Sequence, residues 1–146
     1  AAGLDEALLR EFTAEVERRG LTDRVEITGP LSESELAERY ATARFVVQTW
    51  HSPGFGLSPL EAAAQGTTFV IPTGQGSAEL FRDRVDGLMF PPDDADALHR
   101  AVALLVSDPE RAWEMGRSAW RHARAHASWT LRAKELADAL ADAVAR

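Results

Sequence analysis

The 146-residue sequence has no cysteine, one lysine, one tyrosine and no long apolar run. Without cysteine there is no disulfide framework and no thiolate metal site, which fits a reducing compartment. No apolar stretch approaches the roughly 20 residues that a membrane helix needs, and no signal-like segment opens the chain. A cytoplasmic protein with no membrane span is therefore expected. Excess basic charge is missing too. A net charge of −7 argues against nucleic acid as a partner, because phosphate backbones require basic stripes. What is present is 45% hydrophobic residues, enough for one domain with a real core. Fifteen of the sixteen basic residues are Arg, a compositional bias with no functional reading.

Helical and extended patterns alternate along the chain. Apolar residues at Leu4, Leu8, Leu9, Phe12 and Val16 predict a helix over 4–19, stopped by Gly20. A short strand is expected at 25–28. A second helix over 32–43 would open with a capping box from Ser32 to Glu35 and carry Leu36 and Tyr40 inward. The run 44–49 reads as a buried strand, continuous rather than alternating, as parallel sheets require. After it come a loop and helix over 54–66, a strand at 68–71, a glycine loop at 73–77, a short helix at 78–83 and a strand at 88–90. The rest is helical over about 94–106, 109–126 and 129–145, with Asp93, Asp94 and Asp108-Pro109-Glu110 marking helix starts. The expected architecture is α/β, a Rossmann-like doubly wound parallel sheet, incomplete at about four strands, with a helical C-terminal appendage. Residues 1–93 form its α/β core and 94–146 its helical tail.

The richest stretch is Gly54-Phe55-Gly56-Leu57-Ser58-Pro59-Leu60-Glu61, running to Gly66. Two glycines around Phe55 let backbone approach a ligand closely, and the helix behind them offers free N–H groups suited to phosphate. A purely structural reading of the same residues stands beside this one. Ser58 can be the N-cap, Pro59 the first helical residue and Glu61 its capping-box partner, with Gly66 just past the helix end. Local pattern leaves both readings of Glu61 open.

Gly54-Phe55-Gly56-Leu57, Leu60-Glu61-Ala62 and Gly66-Thr67 resemble the signature of family-4 (group 1) retaining glycosyltransferases. Residues 23–31, Gly74-Gln75-Gly76-Ser77-Ala78-Glu79, residues 86–93, Ser107-Asp108-Pro109-Glu110 and Ser128-Trp129 resemble further segments of the same family, in order. The resemblance implies the C-terminal, donor-binding domain of the two-domain GT-B fold, truncated at its N-terminal side and lacking the strand between 25–28 and 44–49. Strand 25–28 would then pair directly with 44–49, pair with another chain or stay detached. The resemblance further implies transfer of a sugar, of hexosyltransferase type, from a nucleotide-diphosphate sugar to an acceptor hydroxyl with retained configuration. No cofactor or metal is implied, and this chain alone is expected to be inactive.

Carried over by position, Glu61 would bind the ribose hydroxyls, since a carboxylate accepts from both. Gly54 and the amides of Phe55, Gly56, Leu57 and Ser58 would face the sugar and diphosphate. The family's first glutamate falls on Pro53, which has neither carboxylate nor N–H; the catalytic role at that position is therefore unfilled, with His51 or Ser52 as neighbours. Gly74 and Gly76, separated by Gln75 where the family has paired glycines, would line the cleft with Glu79. A helix-dipole role serves Glu79 equally well. His99, His122 and His126 read as exposed or capping, and Trp113, Trp120 and Trp129 as packing residues. The family's last helix returns to the partner domain, so Leu131, Leu136 and Leu140 would form a docking face onto the missing N-terminal domain. Two other classes stay open: a degenerate, non-catalytic module, suggested by Pro53, and a related nucleotide-sugar enzyme such as an epimerase.

Overall fold

The computed structural model describes residues 6–49 and 54–144, without the side chains of Trp129, Arg132 and Val144. It divides into two compact units, residues 1–35 and 36–146.

In the first unit, helix α1 (Glu6–Arg18) buries Val16 and ends at Gly20, whose φ of 65° is left-handed. The expected strand at 25–28 does not form, and these residues are irregular. The reason is that a strand exists only by pairing. Among the described residues this segment has no ladder, and Ile27 is 43% exposed. The capping box ahead of helix α2 (Glu33–Thr42) is present. The Ser32 amide donates to Glu35 Oε2 at 2.8 Å, and the Glu35 amide donates to Ser32 Oγ at 3.3 Å.

The second unit is built on a parallel sheet of three strands, β1 (Phe45–Val47), β2 (Thr68–Pro72) and β3 (Leu88–Phe90), in that spatial order. Val47 lies opposite Val70, and Val70 opposite Leu88. All five residues of central β2 are buried. Side-chain alternation sends Phe69 and Ile71 to one face, with Ala63, Phe81, Ala119 and Ala123, and Val70 to the other, with Leu88, Phe90, Leu105, Ala112 and Met115. Helices thus cover both faces, as a continuous apolar strand requires. They are α3 (Leu57–Ala64), α4 (Gly76–Leu80), α5 (Ala95–Ser107) and α6 (Pro109–His126). Asp94 and Asp108 cap α5 and α6 as expected, accepting from the amides of Ala97 at 2.8 Å and Arg111 at 3.0 Å.

Helix α6 contributes its small residues to the core: Ala112, Gly116, Ala119 and Ala123, with Met115. A Cβ on Gly116 would overlap the Gly66 carbonyl oxygen, so glycine sets how closely α6 approaches the turn after α3. The tryptophans expected to pack are on the outside, with Trp113 59% and Trp120 39% exposed. The alanine and glycine stripe one residue away lies on the inner face and leaves no room for indoles. Helix α7 (Trp129–Val144) has exposed side chains at Leu136 and Leu140, while Leu131 is half-buried.

Candidate functional site

The candidate residues sit beyond the carboxyl ends of β1 and β2, where open α/β sheets bind ligands. His51 and Pro53 lie outside the described residues. Two backbone bonds join the glycine loops: the Gly76 amide donates to the Gly54 carbonyl at 3.1 Å, and the Ser77 amide to the Phe55 carbonyl at 2.7 Å. The space beside two of the glycines is filled by this contact. A Cβ on Gly56 would fall 2.6 Å from Gln75 Oε1, and one on Gly76 would fall 2.9 Å from Phe55 Cδ2. Gly56 also has φ 74°, which favours glycine independently. Gly74, at φ 83°, has no atom near its would-be Cβ and keeps an open side.

Helix α3 starts two residues earlier than the capping-box reading expects. Its N-cap is Gly56, with no side-chain cap, and Pro59 sits within the first turn, where a missing N–H is tolerated. The Ser58–Glu61 capping box is therefore not formed. Glu61 instead accepts a hydrogen bond from the Tyr40 hydroxyl at 3.1 Å, on an exposed surface that also carries Phe55 (47% exposed) and Leu57 (60% exposed). The Ser58 hydroxyl bonds to the same phenol. Burial raises the Tyr40 pKa above the ordinary phenol value, and the neighbouring Glu61 carboxylate adds to the rise against the opposing Ser58 bond. Tyr40 thus restrains both polar side chains of the α3 start. Its inward direction is legible in the sequence, but its bond to Glu61 is not.

Beneath the loops lies a polar pair that sequence reasoning missed. Gln48 Nε2 donates to Gln75 Oε1 at 2.7 Å. Gln75 is 3% exposed and Ser77 fully buried, yet Gln75 Nε2 and Ser77 Oγ have no partner among the described residues. A buried polar atom left unpaired costs free energy, so these two stand out. The one available signal is that Gln75 interrupts a pair of glycines. Glu79 is exposed, in the first turn of α4.

A second polar cluster lies away from the loops, around buried Asp86. Arg82 Nε and Nη2 donate to its two oxygens at 2.9 and 2.8 Å, and Ser118 Oγ donates at 2.8 Å. Burial alone would raise the Asp86 pKa, but the bonds from Arg82 and Ser118 together outweigh it and lower it. His122, read from sequence as exposed or capping, is half-buried, with Nδ1 3.8 Å from Asp86 and Nε2 2.9 Å from the Leu80 carbonyl oxygen. A carbonyl only accepts, so Nε2 carries the proton there. This cluster ties α4, the turn before β3 and α6 together. Among the described residues no group of His, Asp and Glu is placed to hold a metal, and no helix is long and apolar enough to cross a membrane.

Residues 2–122 match the family described as "Glycosyl transferases group 1". A D-inositol 3-phosphate glycosyltransferase of Salinispora tropica is 36% identical over 126 residues, covering 86% of this chain and 26% of the relative. The chain spans about a quarter to a third of the length of the curated relatives it matches. Among solved structures, sucrose-phosphate synthase from Thermosynechococcus elongatus superposes with a TM-score of 0.83 at 28% identity, over 95% of this chain and 35% of that one. HepE of Anabaena, solved in complex with UDP, superposes with a TM-score of 0.84 over 94% of this chain and 37% of that one. At 21% identity, the second likeness is one of fold.

Proposed function

The chain belongs to the glycosyl transferases group 1 family, and we propose that it is the donor-binding part of a retaining, cytoplasmic glycosyltransferase. The whole protein would move a hexosyl group from a nucleoside diphosphate sugar to an acceptor hydroxyl. The observation that carries this reading is the placement of Glu61. It is exposed on α3 directly behind the Gly54–Gly56 loop, and by the sequence resemblance it would be the carboxylate that binds the ribose. Its second oxygen and the uncapped α3 start leave acceptors and donors for a ribose and a diphosphate. HepE was solved with UDP and with UDP-glucose, which supports a uridine or related nucleotide as donor.

In this reading the amides of Phe55, Gly56, Leu57 and Ser58 stabilise the departing diphosphate, and Gly74 admits the sugar from the open side of its loop. Catalysis rests on positioning and on charge stabilisation at the helix start rather than on a protein nucleophile. No resident metal takes part. The acceptor side belongs to an N-terminal domain outside this chain, and the strand missing beyond β1 belongs to the donor-binding domain itself. The exposed Leu136 and Leu140 of α7 support docking onto that domain. On its own this chain is inactive.

Calorimetric titration of the full-length protein with UDP- and GDP-sugars tests the reading. Glu61→Ala should weaken donor binding about tenfold or more, the loss of a charged acceptor for two hydroxyls. Unchanged affinity removes Glu61 from the site, and with it the assignment. Pro53, standing where the family has a glutamate, favours a second reading in which the donor binds without transfer. Binding with no turnover, and turnover gained by Pro53→Glu, would select it.

A further inference from the structure

The outward face of α6 presents a stripe of one chemistry. Trp113, Arg117, Trp120, Arg121 and Arg124 follow the i, i+4, i+7, i+8, i+11 spacing of a single helix face, and all five are exposed. Arg117 stacks over the Trp113 ring at 4.6 Å, and Arg124 over Trp120 at 4.7 Å. Trp113, Arg117, Trp120 and Arg121, with the end of α3 at Ala64–Gly66, line an open groove of about 560 Å³ that contains no carboxylate. In a chain of net charge −7, none of these three guanidiniums has an ion-pair partner among the described residues.

We propose that this face of α6 docks reversibly onto an anionic phospholipid bilayer. Indoles favour the boundary between hydrocarbon and headgroups, and unpaired basic side chains are drawn to anionic headgroups. The stacked guanidiniums strengthen this choice of occupant over a saccharide. Each arginine covers an indole face that a sugar ring would otherwise stack on, while its fork stays free for phosphate. The absence of any carboxylate in the groove gives the complementary charge. This surface is independent of the donor loops, and peripheral docking needs no spanning helix.

Flotation of the full-length protein with vesicles tests the proposal. Vesicles of phosphatidylcholine containing phosphatidylglycerol should carry the protein, and pure phosphatidylcholine should not. Arg117→Gln/Arg121→Gln/Arg124→Gln should weaken partitioning about a hundredfold, three basic contributions of the size expected near an anionic surface. Trp113→Ser/Trp120→Ser should weaken it while leaving the thermal midpoint and donor binding unchanged. Should either variant fail to fold, wild-type protein supplies the second measurement. Its tryptophan fluorescence should be quenched by brominated phosphatidylglycerol vesicles, and the quenching should fall in Trp113→Phe/Trp120→Phe. Failure of the wild type to float, equal flotation of folded variants, or binding of inorganic phosphate or polyglutamate without vesicle binding overturns the proposal.

Discussion

The edge strand β1 and the central strand β2 of the second unit's sheet are built to different standards. Val47 on β1 and Val70 on β2 are ladder partners, yet Val47 is 41% exposed and Val70 fully buried. Around β2 and β3, both faces are closed by α3, α5 and α6, and the polar groups of the Asp86 cluster are paired. Around β1 the edge is open to solvent at Val47, and past the carboxyl end of β2, against the loop that leaves β1, Gln75 and Ser77 hold two buried polar atoms unpaired among the described residues. The difference separates two tasks. The closed side supplies the stability, and the open side keeps the groups that the proposed donor site would use. A site cannot be both fully satisfied and ready to bind.

Breaking the closed side should therefore cost most. Gly116→Ala would drive a methyl into the Gly66 backbone, which cannot move as a side-chain tip can. A loss of about 3 kcal/mol is expected, the upper part of the range for overpacking, read as a shift of the urea midpoint. The ladder pair gives the sharper comparison. Val70→Ala should cost about 2 kcal/mol, and Val47→Ala about 0.5 kcal/mol or less. Equal losses would mean that the β1 edge is covered and the contrast false.

The same contrast explains how much was legible beforehand. The strands at 45–47, 68–72 and 88–90 announce themselves because buried parallel strands are continuous apolar runs. The caps at Ser32, Asp94 and Asp108 were equally plain, being decided within a few residues of chain. Residues 25–28 carry a strand pattern and are no strand, because pairing is a property of the neighbour and not of the segment. Ser58 looked like a cap because Pro59 looked like a first helical residue; the left-handed Gly56 starts the helix earlier instead. On α6 two stripes run side by side, Ala112-Gly116-Ala119-Ala123 and Trp113-Arg117-Trp120-Arg124. Hydrophobicity favours the tryptophans for the inside. Close helix approach over Gly66 favours the small residues, and it wins. The Tyr40–Glu61 and Gln48–Gln75 bonds span 21 and 27 residues, a reach no local pattern encodes.

Acid should find the closed side first. Asp86 has a lowered pKa in the fold, so its contribution to stability is present above the ordinary carboxylate range and is lost as pH falls through the folded value. Asp86→Asn should cost about 1–2 kcal/mol near neutrality, the loss of charge-assisted bonds from Arg82 and Ser118. Below about pH 4 that difference should begin to shrink, because the unfolded carboxyl protonates there first, and it vanishes only below the lowered folded value, where the native carboxyl is protonated as well. Urea midpoints of the two proteins across this range check it. A constant gap down to low pH would mean that the Asp86 charge contributes nothing.

The smallest expected effect tests the open side. Tyr40→Phe removes one exposed hydrogen bond to Glu61 and should cost about 0.5 kcal/mol, the low end for such a bond. Linkage gives the sign of its pH dependence. The Tyr40 pKa is raised in the fold, so its contribution is present below the ordinary phenol value near 10 and is lost as pH rises through the folded value. The variant should therefore lack that part of the alkaline loss, leaving the gap between the two proteins largest near neutrality. If Tyr40 chiefly orients Glu61, donor affinity should fall by more than the stability does, because a freed carboxylate must be ordered again on binding. Equal losses in affinity and stability would make Tyr40 a packing residue and leave Glu61 to find its own orientation.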